Sequence, residues 1–322
     1  MTEFLWKEVS KDKFNEWDEL IKRSHNGTIF HERKFLSYHG KKFKNEEKYL
    51  SCCKGESTVA LLSLTISLEK NFKTAKSPYG GSYGGVIFVK NPTYQYSRNI
   101  ICSLKEWLKK NKIKNITLTS PPDIFTEDGY SGTQSFCFLE QGFLLENRDV
   151  SSVVNLQRPR LKINTRAKRM IQKAKKNGVK ICYKSDLETL WPILLKNHKK
   201  FSTKPTHSKI ELQKLLDLYP ENIQIITAKL GEKTIAGVVE IKCNKFVQSS
   251  FYLCQTSEGR TNQALSLLIF NRLEAAKKNL FKFYDFGTST DGKMKARENV
   301  FLFKENFGAV GVLRETIKLE LK

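Results

Sequence analysis

The chain has 322 residues, 56 Lys and Arg against 33 Asp and Glu, a formal net charge of +23, and a hydrophobic content of 39% that includes 21 Phe. That apolar content excludes a disordered chain, and the length can fill two cores of ordinary size. The positive field favours anionic partners such as RNA, anionic lipid, nucleotide-linked substrates or an acidic carrier protein, although lysine used as a general polar filler gives the same balance. Seven cysteines with no Cys-x-x-Cys pair signal neither a disulfide framework nor a zinc site, and they fit a reducing compartment. No apolar signal core opens the sequence, and no window approaches the roughly 18 uninterrupted apolar residues of a membrane span. The expectation is a cytoplasmic protein with no integral membrane segment, at most peripheral to the inner membrane face. Composition leaves its oligomeric state open.

In chain order, Phe4 to Val9 reads as a strand and Lys11 to Ser24 as an amphipathic helix through Phe14, Trp17, Leu20 and Ile21. Thr28 to His39 reads as a second helix. Its histidines are by type structural or solvated, and His31 is carried as a substrate-facing candidate. Tyr49 to Cys53 and Thr58 to Leu68 form a hairpin across Lys54-Gly55-Glu56. Ser77 to Gly85 concentrates four glycines and two tyrosines ahead of the strand Val86 to Val89. Glycines so placed imply a tight bend or a close approach, which makes Tyr83, Gly84 and Gly85 either substrate contacts or a hairpin rim. Tyr96 to Asn111 is an amphipathic helix, Ile113 to Leu118 a strand, and Phe136 to Leu145 has β character.

A boundary near Asp149 to Pro159 divides the chain into domains 1–150 and 151–322. From Arg158 to Lys176 there are nine Lys or Arg and no acid. The helix inside this run starts at the capping pair Asn164-Thr165 and stops at Asn177-Gly178. Ala167, Met170, Ile171 and Ala174 form its apolar face, and Arg166, Arg169, Lys173 and Lys176 form a cationic ridge suited to phosphate chains. Val179 to Tyr183 is a strand, and Asp186 to Phe201 is a helix that Pro192 should kink or break. The polar loop Lys199 to Ser208 carries Lys204 and His207, and Lys209 to Tyr219 is helical. Three strands follow at Ile223 to Leu230, Ile235 to Cys243 and Phe246 to Leu253. A turn spans Ser257 to Asn262, and a long helix spans Gln263 to Asn279.

The strand Phe281 to Phe286 stops at Gly287 and opens a polar surface loop from Thr288 to Asn299. Val300, Phe303 and Phe307 then recur at helical spacing before Gly308, a left-handed terminator. Lys304 sits beside that apolar stripe. There it either snorkels over a core helix or holds a phosphate or a developing oxyanion. The tail Val310 to Leu321 alternates apolar and polar residues as a final strand.

From Val179 onward, the order strand, helix, helix, three antiparallel strands, long helix, strand, loop, strand is that of the GNAT acyltransferase fold. The first half offers a shorter version of the same alternation. With Tyr284-Asp285-Phe286-Gly287, Phe303-Lys304-Glu305-x-Phe307-Gly308 and Arg166-Ala167-x-Arg169, the chain resembles the FemAB-like peptidoglycan-bridge transferases and their acyltransferase relatives. The resemblance implies an α/β chain of two tandem GNAT-type domains with mixed, mainly antiparallel central sheets.

It also implies an enzyme that moves an acyl group to the amine of an anionic acceptor, such as a nucleotide-linked amino sugar or a cell-wall precursor. The donor would be acyl-CoA, an acyl carrier protein or aminoacyl-tRNA, with no tightly bound cofactor and no metal, and the setting would be cell-envelope or polysaccharide biosynthesis. By the same resemblance, Phe303 and Lys304 lie where donor and acceptor meet, with Tyr252 facing the same cleft as a third catalytic candidate. His31, Tyr83, Gly84, Gly85, Lys204, His207, Asp285 and Gly287 count as substrate contacts, and Arg166, Arg169, Lys173, Arg260 and Asn262 as donor contacts. The segment Gln255 to Ala264 holds one glycine, where enzymes of this fold that use coenzyme A usually place an Arg/Gln-x-x-Gly-x-Gly/Ala turn. A non-catalytic RNA-binding protein that uses the basic helix is the alternative.

Overall fold

The computed structural model describes residues 3–130, 132–200 and 203–321. The chain forms two compact units, Met1–Asp149 with Gly292–Met294 and Leu313–Lys322, and Val150–Asp291 with Lys295–Val312. The end of the chain thus departs from the division at residue 150, because Leu313–Lys322 belongs to the first unit.

The first unit contains β1 (Phe4–Glu8), α1 (Phe14–Arg23), α2 (Arg33–Leu36), β2 (Glu47–Lys54), β3 (Ser57–Glu69), β4 (Phe72–Ser77), β5 (Ile87–Phe88), α3 (Tyr94–Lys110), β6 (Ile113–Thr119) and α4 (Gly132–Glu140). The strand β7 (Leu144–Asn155) leads into the second unit. There follow α5 (Thr165–Lys176), β8 (Lys180–Cys182), α6 (Leu187–Lys200), α7 (Lys209–Leu218), β9 (Ile223–Leu230), β10 (Lys233–Lys242), β11 (Val247–Gln255), α8 (Ser257–Thr261), α9 (Ala264–Lys278), β12 (Phe283–Thr288) and α10 (Glu298–Glu305). The last strand, β13 (Val310–Glu320), ends in the first unit.

In the first unit the strand order is β1-β2-β3-β4-β6, with Thr316 to Glu320 of β13 antiparallel to β6 and β5 alongside β3. In the second it is β7-β12-β11-β10-β9-β8. Each sheet contains one parallel pair, β4 with β6 and β11 with β12. Each unit therefore has the mixed, mainly antiparallel sheet expected of tandem GNAT-type domains.

Periodicity explains the cores. On α3, Ile100, Ile101, Leu104 and Leu108 fall on one face and bury with Leu62 and Leu64 of β3 and Ile116 and Leu118 of β6. Each such side chain contributes roughly 1.5–3 kcal/mol. In the second unit, Ala167, Ile171 and Ala174 of α5 and Leu268, Ile269, Leu273 and Ala276 of α9 bury with Ile226 and Val238 of the sheet. The start of α5 is fixed by Asn164, whose side chain accepts a hydrogen bond from Ala167 N.

Several elements differ from the sequence reading, each for a physical reason. Thr28 to His39 is not one helix. Glu32 is extended at φ −71°, ψ 135°, and separates the 3-10 turn Ile29–His31 from the single turn α2. Phe136 to Leu145 is not one strand either. Gln134, Cys137 and Phe138 bury at helical spacing in α4, and Gly142 at φ +87° ends that segment before β7. Strand β4 carries only small buried residues, Thr74, Ala75 and Ser77, so its sequence lacks an apolar alternation.

Helix α6 runs unbroken through Pro192. One lost backbone bond near its first turn is outweighed by burial of Leu187, Leu190 and Leu194. The expected end of that helix at Phe201 lies outside the described residues. Ser257–Thr261 is a helical turn capped by Thr256, whose side chain accepts from Gly259 N. Among the described residues no helix is long and apolar enough to cross a membrane.

Candidate active site

Strands β11 and β12 pair over three registers only, Val247 with Phe283, Gln248 with Tyr284 and Ser249 with Asp285. Beyond that point β11 stays paired to β10 as far as Gln255 opposite Ala236. Meanwhile β12 continues beside β7 to Thr288 opposite Ser151. Two strands held on their outer sides but no longer on each other leave a notch in the sheet. Gly287, at φ +73°, and a register shift between Asp285 and Thr288 turn β12 at this point. The turn is fastened by Gly287 N donating to Asp285 Oδ1 at 2.7 Å.

Lys304 of α10 belongs to this turn. Its side chain is buried, and Nζ donates to Gly287 O at 2.8 Å, Thr288 O at 2.8 Å and Ser289 Oγ at 3.1 Å. An ammonium has three donors, and all three are engaged. Burial lowers its pKa to about 8, opposed by the carboxylate of Asp285. Lys304 therefore ties the outgoing end of β12 in place. Any contact with a substrate oxygen requires it to release one of these bonds. Phe303, the partner residue, packs its ring 5.4 Å from that of Phe307 in the core.

On the β11 side lies Tyr252, three residues past the last register with β12. It is buried; its Oη accepts from His207 N at 3.1 Å and lies 2.9 Å from His207 Nδ1. The rings of Phe251 and His198 stand 5.0 and 6.1 Å from the Tyr252 ring. Burial raises the Tyr252 pKa, so the phenol is protonated at neutral pH, and burial lowers that of His198, favouring its uncharged form. The strand β11, the end of α6 and the loop before α7 thus bring together Tyr252, His198 and His207. Lys204 stands exposed on the same loop. His198 was not signalled by the sequence, because its setting, Lys196-Asn-His198-Lys-Lys, reads as a solvated tail.

Beneath the three registers lies an ionic network that sequence reading also missed. Glu240 Oε2 accepts from Arg272 Nε at 2.8 Å and Gln248 Nε2 at 2.7 Å, and Glu240 Oε1 accepts from Tyr284 Oη at 2.6 Å. All four side chains are buried. Burial raises the Glu240 pKa against the pull of Arg272, and it also raises that of Tyr284. The signal, in retrospect, was a Glu and an Arg each set inside an apolar run. A network satisfied to this degree holds β10, β11, β12 and α9 in one arrangement.

The other candidates are placed as follows. Arg166, Arg169 and Lys173 are exposed on α5, and among the described residues none makes an ion pair. Arg260 is exposed on α8, while Asn262 is engaged locally, donating to Glu258 O and accepting from Asn177 Nδ2 at 2.8 Å. The single glycine of that turn, Gly259, packs against β10: a Cβ there would lie 2.2 Å from Ile235 O. The glycine serves strand packing, and the segment does not form a glycine-rich cradle for a pyrophosphate.

In the first unit His31 is buried, with Nδ1 2.9 Å from Thr28 Oγ1 and Nε2 3.2 Å from Gly84 O, and burial lowers its pKa to about 4. It is a neutral structural histidine, not a substrate contact. Gly84 and Gly85 fold tightly on their own chain, since a Cβ on Gly84 would lie 2.4 Å from Ser77 Oγ and Gly85 N donates to Ser77 Oγ at 2.9 Å. Tyr83 is buried against Phe30 and Phe125. The glycine-rich stretch is a packed rim.

No family model and no curated protein matches the chain. Solved structures do. FemX aligns with a TM-score of 0.70 at 13% identity, over 98% of this chain and 97% of its own. L-PGS from Bacillus licheniformis aligns at 0.57 and 11%, over 97% and 92%. The tandem GNAT protein from the clavulanic acid biosynthesis pathway aligns at 0.55 and 10%, over 99% and 98%. The architecture is therefore that of a FemAB-like tandem GNAT protein; at these identities the likeness is one of fold.

Proposed function

We propose that the protein is a cytoplasmic N-acyltransferase or aminoacyltransferase whose chemistry takes place at the notch between β11 and β12. The observation that carries this reading is the parting of the two strands after three registers, with the Tyr252–His207 pair on one lip and the carbonyls tied by Lys304 on the other. An acyl donor entering the notch meets backbone amides of β11 and a protonated phenol.

The neutral amine of the acceptor attacks the donor carbonyl, forming the C–N bond and moving the π electrons onto oxygen. The proton on the new nitrogen passes to Tyr252 Oη as the phenol's own proton passes to His207 Nδ1. Collapse breaks the C–S or C–O bond, and the leaving thiolate or alkoxide takes up the proton. Direct attack of this kind needs no covalent enzyme intermediate. Lys304 is a positioning residue in this scheme: it holds Gly287 and Thr288 where the notch requires them.

The exposed ridge Arg166, Arg169 and Lys173 suits a donor carried on a polyanion, such as tRNA or an acidic acyl carrier protein. The absence of a glycine-rich cradle at Gly259 favours such donors over free acyl-CoA. The acceptor in this reading is the amine of an anionic precursor, a nucleotide-linked amino sugar or a cell-wall intermediate. The test offers acyl-CoA, acyl carrier protein and aminoacyl-tRNA in parallel to such amines and reads the mass gained. Transfer that Tyr252→Phe abolishes supports the reading. No transfer from any donor class, or undiminished transfer by the variant, overturns it.

A further inference from the structure

Helix α5 carries two separate lines of cations. At about 100° per residue, Arg166, Arg169, Lys173 and Lys176 fall on one flank of the buried stripe Ala167, Ile171 and Ala174, while Lys168 and Lys175 fall on the other. The second line overlooks a groove of about 480 Å³ between α5, α9 and the segment before α5. Leu161, Ile163, Ile171 and Phe270 supply apolar walls, with Arg160, Lys168 and Lys175 as cations and Glu274 as the acid. The Nζ of Lys175 stands 5.9 Å from the centre of the Phe270 ring. Lys277 closes one end by donating to Leu156 O and Arg158 O.

At the end of α9 the chain presents Leu280 at 86% exposure. Its φ of +63° turns the chain sharply there. Beside it are Lys278, exposed, and Lys282, which with Lys245 flanks the ring of Phe246 at 4.7 and 4.8 Å. An apolar tip among lysines and an apolar groove under a cationic rim belong to the same helical layer.

We propose that this layer is a docking surface for an anionic phospholipid bilayer, with the groove taking apolar lipid and Arg160, Lys168 and Lys175 meeting the headgroup phosphate. Charge complementarity selects an anionic partner, and the apolar groove and tip select lipid over nucleic acid. Single-stranded RNA is held by exposed aromatic rings on which bases stack; here Phe270 is partly covered and the protruding residue is aliphatic. The proposal does not depend on the transferase reading, and it places the protein at a membrane through surface contacts.

The full-length protein is sedimented with phosphatidylglycerol vesicles and, separately, with phosphatidylcholine vesicles, and titrated with poly(U) RNA. Binding to the phosphatidylglycerol vesicles and not to the phosphatidylcholine vesicles is expected. The double variant Lys168→Glu, Lys175→Glu should weaken it by about tenfold or more. Leu280→Asn, which tolerates the left-handed backbone, should weaken vesicle binding and leave any RNA binding unchanged. Both variants alter exposed positions, and unchanged melting curves verify their folding. The proposal is overturned by absent vesicle binding, by vesicle binding that survives the charge reversal, or by wild-type vesicle binding of Leu280→Asn. RNA binding that needs Lys168 and Lys175 while vesicles are ignored would assign the surface to nucleic acid instead.

Discussion

The phenolic oxygen of Tyr252 lies 2.9 Å from Nδ1 of His207, which joins a strand residue to a loop residue 45 positions away, and the proposed reaction runs its proton through this contact. Removing the hydroxyl in Tyr252→Phe should lower turnover by about 10²- to 10⁴-fold, the usual worth of a positioned proton carrier. The accompanying loss of stability should be about 1–3 kcal/mol, because His207 N and Nδ1 both lose their buried partner. Steady-state rates and melting midpoints on the same preparations separate the two effects. Turnover that falls only in proportion to folded protein would exclude the path.

Lys304 offers a pH test. Its folded-state pKa of about 8 lies below the ordinary lysine value of 10.5, so between these values the unfolded chain binds more protons than the folded one. Stability from this group therefore rises as pH increases through that window, by about 3 kcal/mol when complete. Lys304→Met should lose this rise and, with Gly287 O and Thr288 O losing the ammonium and Ser289 Oγ left with Ser152 Oγ, be about 2 kcal/mol less stable at neutral pH. Urea unfolding of both proteins at a series of alkaline pH values checks the sign. Parallel curves would show that the amine is not desolvated.

His31 predicts the opposite end of the scale. Burial lowers its pKa from 6.5 to about 4, so the unfolded chain takes up the proton first on acidification. Its contribution to stability is present above pH 6.5 and is lost as pH falls toward 4, about 3 kcal/mol in all. In His31→Gln the acid sensitivity of the first unit should flatten, as read by hydrogen exchange of the amides around Gly84. An unchanged acid profile would mean that other groups dominate.

Breaking the buried pair of Glu240 and Arg272 strands a charge. Arg272→Met is expected to cost about 3–5 kcal/mol. Tyr284→Phe, which removes only a neutral partner of the same carboxylate, should cost about 1–3 kcal/mol. Chemical denaturation orders the two; a smaller cost for Arg272→Met would show that the carboxylate is protonated in the folded state.

Two glycines with left-handed backbones should respond differently to alanine. At Gly287, φ +73°, an added Cβ meets nothing within 4 Å, so Gly287→Ala should cost only the backbone strain of about 1–2 kcal/mol. At Gly308, φ +81°, the same Cβ would lie 2.5 Å from Lys162 O, and the cost should be clearly larger. Equal melting shifts would count against the close approach of residue 162 to α10.

Much of the architecture was legible because the helices are strongly patterned. The Asn164 cap and the Asn177-Gly178 stop bound α5 within a residue, and the apolar spacing of α3 and α9 announced their buried faces. Strand β4 was invisible because small residues filled its buried positions, and α4 was misread because Phe136 and Leu139 are exposed while Cys137 and Phe138 are buried. The sequence, with the resemblance it carries, named Tyr252, His207 and Lys304 as candidates but not their surroundings. Two of the three acceptors of Lys304 are main-chain carbonyls at the end of β12, 17 and 16 residues away, which no side-chain pattern encodes. Glu240 and Arg272, 32 residues apart, look in the sequence like isolated interruptions of apolar runs. Only the fold makes them a pair.

The short β11–β12 contact has a consequence for guest chemistry. Past Ser249, the peptide groups of β11 that do not face β10 are aimed at the gap that β12 has left. A molecule that carries its own amide linkages can lay them along that edge as a surrogate strand, matching donor to acceptor, whereas a plain hydrocarbon or ester would leave those groups desolvated and unmatched. Peptide-like donors and acceptors should for that reason outcompete amide-free analogues of equal size.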